Sequence, residues 1–136
     1  MFIEPKKTID IVLYHKRSKS GNAMRVEADV TKIKEADLPS YTKSTFKMRQ
    51  LTWRIYNDLL RESKTTNLMT RIDETDWATY REKKLVKLLA EWDAKDGDKD
   101  IPINEERIMS LHPLIAENIL NEYDKKVYLD EEEQKN

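Results

Sequence analysis

The sequence predicts an α+β fold. An N-terminal β-hairpin plus a third strand form a small antiparallel sheet, and a C-terminal helical part of three to four helices follows. Three observations predict it. Two stretches near the N-terminus alternate apolar and polar residues on either side of a polar loop that contains Gly21, which is the pattern of a hairpin. Residues 46–63 then change their apolar period from two to between three and four. Residues 76–92 carry helical spacing with no helix breaker.

Residues 1–7 are expected to form an extended arm. In residues 8–16, Ile9, Ile11 and Leu13 point one way, and Asp10, Val12, Tyr14 and Lys16 the other. Arg17-Ser18-Lys19-Ser20-Gly21-Asn22 is the hairpin loop. In residues 23–31, Met24, Val26, Ala28 and Val30 point inward, and Arg25, Glu27, Asp29 and Thr31 outward. A lone hairpin is marginal in water, so a third strand over 46–51 and a helix packed on one face are needed to complete the layer. Residues 32–45 read as a connection, with a helical turn near 33–36 and a stop at Pro39.

The junction at residues 46–63 separates sheet from helices. Phe46 and Met48 alternate with Lys47 and Arg49, as in a strand; Trp53, Tyr56 and Leu60 then share a helical face that Ile55 and Leu59 widen. Thr52 is a good N-cap, because its hydroxyl can accept a first-turn N–H. The first helix is expected over 53–64, with a loop or a short turn over 64–70. The second is expected over 76–92, capped by Asp73 or Thr75, with Trp77, Arg81, Leu85, Leu88 and Trp92 on one stripe and Val86 and Leu89 beside it. Residues 93–100 form a polar loop. Asn104 caps a short helix over 105–110, with Glu105 and Glu106 complementing its dipole. A fourth helix starts at Pro113 and carries Leu114, Ile115, Ile119, Leu120 and Tyr123.

The 136 residues suit a single domain, with a sheet part over 8–51, a helical part over 52–126 and an acidic, flexible tail over 127–136. Hydrophobic and charged residues each make up 38%, so a small core under a large solvated surface is expected, or a core completed by a partner. With 25 basic and 26 acidic side chains, no global charge draws the chain to nucleic acid or an acidic membrane. The absence of cysteine excludes disulfides and thiolate metal sites. No apolar run has membrane-spanning length, and Met1-Phe2-Ile3-Glu4-Pro5 turns charged at once, so a cytoplasmic protein is expected.

Each candidate site has a plainer role. The aspartate-rich loop 93–100 fails as a calcium loop. Such a loop needs an oxygen ligand five positions before its glycine and a glutamate six after, where this chain has Trp92 and Ile103. His15 and His112 lack a partner motif for zinc or triad chemistry. The basic hairpin tip His15-Lys16-Arg17-Ser18-Lys19 is short and lacks interleaved aromatics, so a solvated loop is favoured over a nucleic-acid contact. Glu62, Glu82, Glu91, Glu105 and Glu106 serve helix solubility. No phosphate-binding loop, nucleophile elbow or metal motif is present. The reading is therefore no enzyme, no catalytic or metal residues and no cofactor. Three tryptophans and several tyrosines are many for so polar a chain, and such aromatics anchor interfaces. Trp53, Tyr56, Trp77 and Trp92 are the candidate partner-binding residues, for self-association or for a partner helix.

Three segments carry a family resemblance. The third strand ends Met48-Arg49-Gln50-Leu51-Thr52, an Arg-x-Leu-Thr segment leading into a helix. Residues 80–93, Tyr-Arg-Glu-Lys-Lys-Leu-Val-Lys-Leu-Leu-Ala-Glu-Trp-Asp, form a helix ending in tryptophan-aspartate before a loop. Ile101-Pro102-Ile103-Asn104, with Ile108, Leu111, Pro113 and Ile119, marks two C-terminal helices. Together these resemble the tail assembly chaperones of long-tailed bacteriophages, over most of residues 8–123. The resemblance implies a non-catalytic protein of the host cytoplasm. It would bind the tape measure protein, keep it soluble and help recruit tail tube subunits. The alternatives are a structural virion protein (a tail completion or baseplate component) and a small nucleic-acid-binding regulator.

Overall fold

Alternation of buried and exposed side chains builds the sheet. In a computed structural model that describes residues 1–4 and 6–128, strands β1 (Thr8–Arg17) and β2 (Met24–Glu27) form the antiparallel hairpin. Pro5 and residues 129–136, most of the expected tail, lie outside the described residues. Strand β3 (Thr42–Arg49) lies on the other side of β1, pairing Ile9 with Met48 and Ile11 with Phe46. Ile11, Leu13, Phe46 and Met48 are buried on one face. Strand β2 is shorter than predicted: a 3₁₀ turn over Val30–Lys32 replaces its end, and Val30 is exposed. Asp29 starts that turn by accepting the Thr31 N–H. A second 3₁₀ turn spans Leu38–Ser40.

Helix α1 (Trp53–Glu62) starts at the predicted cap, where Thr52 Oγ1 accepts the Ile55 N–H at 3.2 Å. Its inward face is centred on buried Leu59, with Ile55 packed on the core, and Trp53 faces out. The expected loop after α1 is instead a hairpin of β4 (Lys64–Thr66) and β5 (Asp73–Thr75). Helix α2 (Trp77–Leu88) follows, capped by Asp76 rather than by Asp73 or Thr75, which belong to β5. Its buried residues are Tyr80, Lys84, Leu85 and Leu88, so the inward stripe is rotated from the predicted one, and Trp77 and Arg81 are exposed.

The main departure from the sequence reading is at residues 89–92. They were expected to continue α2 but form strand β6 (Leu89–Trp92), which pairs antiparallel with β3. The sheet order is β2-β1-β3-β6, so one strand comes from beyond the junction that was expected to divide sheet from helices. The physical reason is a bulge. Met48 pairs with Leu89, Lys47 with Glu91 and Phe46 with Trp92, leaving Ala90 as the extra residue. Leu89 and Trp92, three apart, thereby both pair with core-facing residues of β3. A helical spacing is accommodated in a strand. The chain is held in this turn by Arg49, whose Nη1 donates to the Lys87 carbonyl at the helix end (3.1 Å). Asp93 Oδ1 accepts the Thr45 N–H just past the strand (3.0 Å).

The polar loop that follows is itself a tight hairpin, β7 (Lys95–Asp96) with β8 (Lys99–Asp100), turned at Gly97 with φ 64°. Asn104 caps helix α3 (Glu105–Met109) by accepting the Arg107 N–H. His112 caps helix α4 (Pro113–Val127) through Nδ1, which accepts the Leu114 N–H at 3.1 Å. Helix α4 crosses β1 and β2 and buries Ile115, Ile119, Leu120 and Tyr123 against the sheet and α2. The fold is thus α+β, with one face of a four-stranded antiparallel sheet covered by helices. No helix among the described residues is long and apolar enough to cross a membrane.

Tyr123 ties the last helix to the third strand: its hydroxyl donates to the Arg49 carbonyl at 2.9 Å. Burial pushes the phenol up to about 12 against the opposing pull of the Leu51 N–H. The folded state therefore favours the protonated phenol. Its contribution is complete below pH 10 and is lost as pH rises from 10 towards 12. Denaturant melts between pH 8 and 12 should lose on the order of 2–3 kcal/mol from this group. Tyr123→Phe should remove the larger part of that alkaline slope while costing about 1 kcal/mol at neutral pH.

Candidate protein-binding site

Two helix starts carry the same local design. At α1, Thr52 caps the helix and Trp53 and Tyr56 follow; at α2, Asp76 caps it and Trp77 and Tyr80 follow. A capping residue must face the open N–H groups of the first turn, which sets the rotation of the residues after it. Each tryptophan then projects from the first turn with a tyrosine one turn behind it. Trp53 stacks on Tyr56 with ring centroids 6.0 Å apart, and Trp77 meets Tyr80 edge-on at 5.3 Å. Trp53 is 77% exposed and Trp77 61%, so the tyrosines support the indoles without covering them.

The Trp77–Tyr80 pair borders a charged centre. Lys84 is buried, its ammonium 2.8 Å from Asp124 Oδ1 on α4 and over the rings of Tyr80 (5.8 Å) and Tyr123 (5.7 Å). Burial raises the Tyr80 phenol above its ordinary value, and the nearby Tyr128, Tyr56 and Asp124 raise it further. Burial likewise raises Tyr128, with Asp124 and Tyr56 adding to it. The rings of Tyr80 and Tyr123 therefore flank the Lys84–Asp124 pair, from α2 and α4.

The β4–β5 hairpin, joining α1 to α2, adds a second apolar feature. Asn67 Oδ1 accepts the N–H groups of Met69 (2.9 Å) and Thr70 (3.3 Å), and the Arg71 N–H closes on the Asn67 carbonyl (2.7 Å). Arg71 takes a left-handed conformation with φ 58°, which costs a non-glycine residue about 1–2 kcal/mol. This fixed tip presents Leu68, Met69 and Ile72 to solvent at 89%, 94% and 61% exposure. Residues 64–75 offered no legible motif, because no short-range pattern announces a hairpin turned on an arginine.

The predicted partner residues separate into two groups. Trp53, Tyr56 and Trp77 belong to this surface. Trp92 does not: it is half-buried on β6, paired with Phe46, and its Nε1 donates to the Ile101 carbonyl at 2.7 Å. Tyr80, Lys84 and Tyr128 were not singled out from sequence. Tyr80 and Lys84 could have been, since they lie one turn apart on α2.

Both histidines line a different feature, a groove of about 310 Å³ between the sheet end and α3–α4. His15 Nε2 meets Ser44 Oγ at 2.8 Å, and burial holds its pKa below the ordinary value, with Asp93 opposing. At the hairpin tip Lys16 lies over the Tyr41 ring at 4.8 Å. No group of three histidine, aspartate or glutamate side chains among the described residues is placed to hold a metal ion. Comparison with protein-family models, curated protein sequences and solved structures finds no match to this chain.

Lys84 and Asp124 should behave as a coupled pair. Asp124→Ala leaves a buried ammonium without its partner and should cost about 1–3 kcal/mol in chemical denaturation. Lys84→Met in the same background should recover most of that loss. A double-mutant cycle checks both, and additive effects would show that the pair is not coupled.

Proposed function

We propose that this chain is a non-catalytic protein-binding module, and specifically a tail assembly chaperone of a long-tailed bacteriophage. It would act in the host cytoplasm on the tape measure protein and tail tube subunits. One observation carries the binding reading: two adjacent helices each present a tryptophan that is more than half exposed and backed by a tyrosine. Exposed indoles on capped helix starts are rigid, amphipathic anchors of the kind that dominate interface energetics. The apolar hairpin tip of Leu68, Met69 and Ile72 extends the same capacity. The side chains gathered around Lys84 are aromatic rings and one carboxylate, an arrangement suited to holding a surface in shape. A long helical partner with a repeating apolar face would engage such a surface through several modest contacts. The assignment to phage tail assembly rests on the resemblance of residues 48–52 and 101–119 and on the sequence of 80–93, whose expected helix ends at Leu88 so that Trp92 closes strand β6 instead.

The test is affinity purification of the tagged chain from cells expressing its native gene neighbourhood, with mass spectrometry of co-eluting proteins. Recovery of a very long helical protein and a tube-forming subunit, with the chain missing from mature particles, is the expected result. Recovery in finished particles would favour a structural virion protein instead. Trp53→Ala and Trp77→Ala should each weaken capture of the long partner about tenfold or more. Trp92→Ala should lower thermal stability and leave capture by the folded fraction intact.

A further inference from the structure

We infer that the groove between the sheet end and the α3–α4 corner is a binding site for a small organic oxyanion, a phosphate or carboxylate on an apolar body. Four basic side chains line it: His15 and Arg17 from β1, Arg107 from α3, and His112 from the α3–α4 corner, with His15 Nε2 engaged by Ser44 Oγ. No aspartate or glutamate is among its lining residues, in a chain with 26 of them; Asp93, whose charge acts on His15, lies outside the lining. A volume of about 310 Å³ is at the small end of ligand pockets.

The hydrogen-bonding chemistry points the same way. His112 Nδ1 accepts the Leu114 N–H, so in the neutral ring the proton sits on Nε2, which is left as a donor. Among the described residues the Arg107 guanidinium makes no hydrogen bond or ion pair, and Arg17 makes only a long contact (3.4 Å) to the Gly21 carbonyl. Guanidinium groups are suited to paired contacts with phosphate or carboxylate oxygens. The remaining wall is apolar. Phe46 and Ile115 belong to the core, and the Trp92 ring is fixed at the edge of the groove because its Nε1 is held by the Ile101 carbonyl. A bare inorganic anion would leave that wall unused, whereas an anion with an aryl or alkyl body would cover it.

Trp92 supplies the readout. Trp53→Phe with Trp77→Phe leaves it as the sole tryptophan, and both replaced residues are exposed and away from the groove. Phenyl phosphate titrated into this 136-residue chain should change Trp92 fluorescence saturably, and should bind at least tenfold more tightly than inorganic phosphate. Arg107→Gln should weaken phenyl phosphate at least tenfold with an unchanged melting temperature. Arg81→Gln, which removes the same charge from α2 outside the groove, should leave it unchanged. No saturable change at millimolar phenyl phosphate overturns the inference. Equal affinity for the inorganic ion, or equal effects of the two arginine variants, would overturn it as well.

Discussion

The pairing of Leu89–Trp92 with Phe46–Met48 is the contact on which the rest of the molecule depends. Without β6, β3 would be an open edge and α2 would run on past the sheet. With it, the chain leaves α2 at Leu88, crosses to the sheet and emerges beside Thr45, where Asp93 fastens it. That exit point places the β7–β8 hairpin, α3 and the start of α4. Helix α4 can then lie across β1 and β2 and close the apolar face with Ile115, Ile119 and Tyr123. The bulge at Ala90 makes this geometry possible, because it lets Leu89 and Trp92 serve one face of a strand although they are three residues apart.

A second constraint acts where α1, α2 and α4 meet. A buried lysine is costly unless its charge is matched and its stem is packed. Lys84 meets both conditions through Asp124 and the rings of Tyr80 and Tyr123. The pair joins α2 to α4 in one orientation. Tyr123, held at the same point by the Arg49 carbonyl, couples that orientation to the end of β3, three residues before Thr52 caps α1. The rotation of each helix that carries an exposed tryptophan is therefore tied to the core.

Much of the fold was legible in the sequence. Two-residue alternation located β1 and the inward residues of β3, and Thr52, Asn104 and Pro113 marked the starts of α1, α3 and α4. What failed was the reading of residues 76–92 as one helix. Leu85, Leu88, Leu89 and Trp92 keep helical spacing throughout, and no glycine or proline interrupts them. The decision between helix and strand lies elsewhere in the chain, in the unpaired edge of β3 and the reach of Arg49. Facial assignments failed for a related reason. Apolar spacing put Trp53 on one face with Tyr56 and Leu60, and Trp77 on one stripe with Leu85 and Leu88, but the cap at each helix start fixes a rotation that buries Leu59 and Tyr80 and turns the indoles out. The two histidines were dismissed one at a time. Their joint placement depends on β1 and the α3–α4 corner meeting across the sheet end, which no local pattern encodes.

Rigidity unites these features. An exposed large apolar side chain is a liability in water unless it serves association. Its usefulness depends on how little freedom it loses when covered. Trp53 and Trp77 stand on first turns whose backbone is capped and whose rings are braced by tyrosine. Leu68 and Met69 stand on a turn closed by the Asn67 side chain and by a left-handed Arg71. Glycine at that last position would relieve the backbone and loosen the tip. Strain retained at an exposed tip contributes nothing to a domain that only has to stay folded, and it is this, with the uncovered indoles, that supports the proposed binding role.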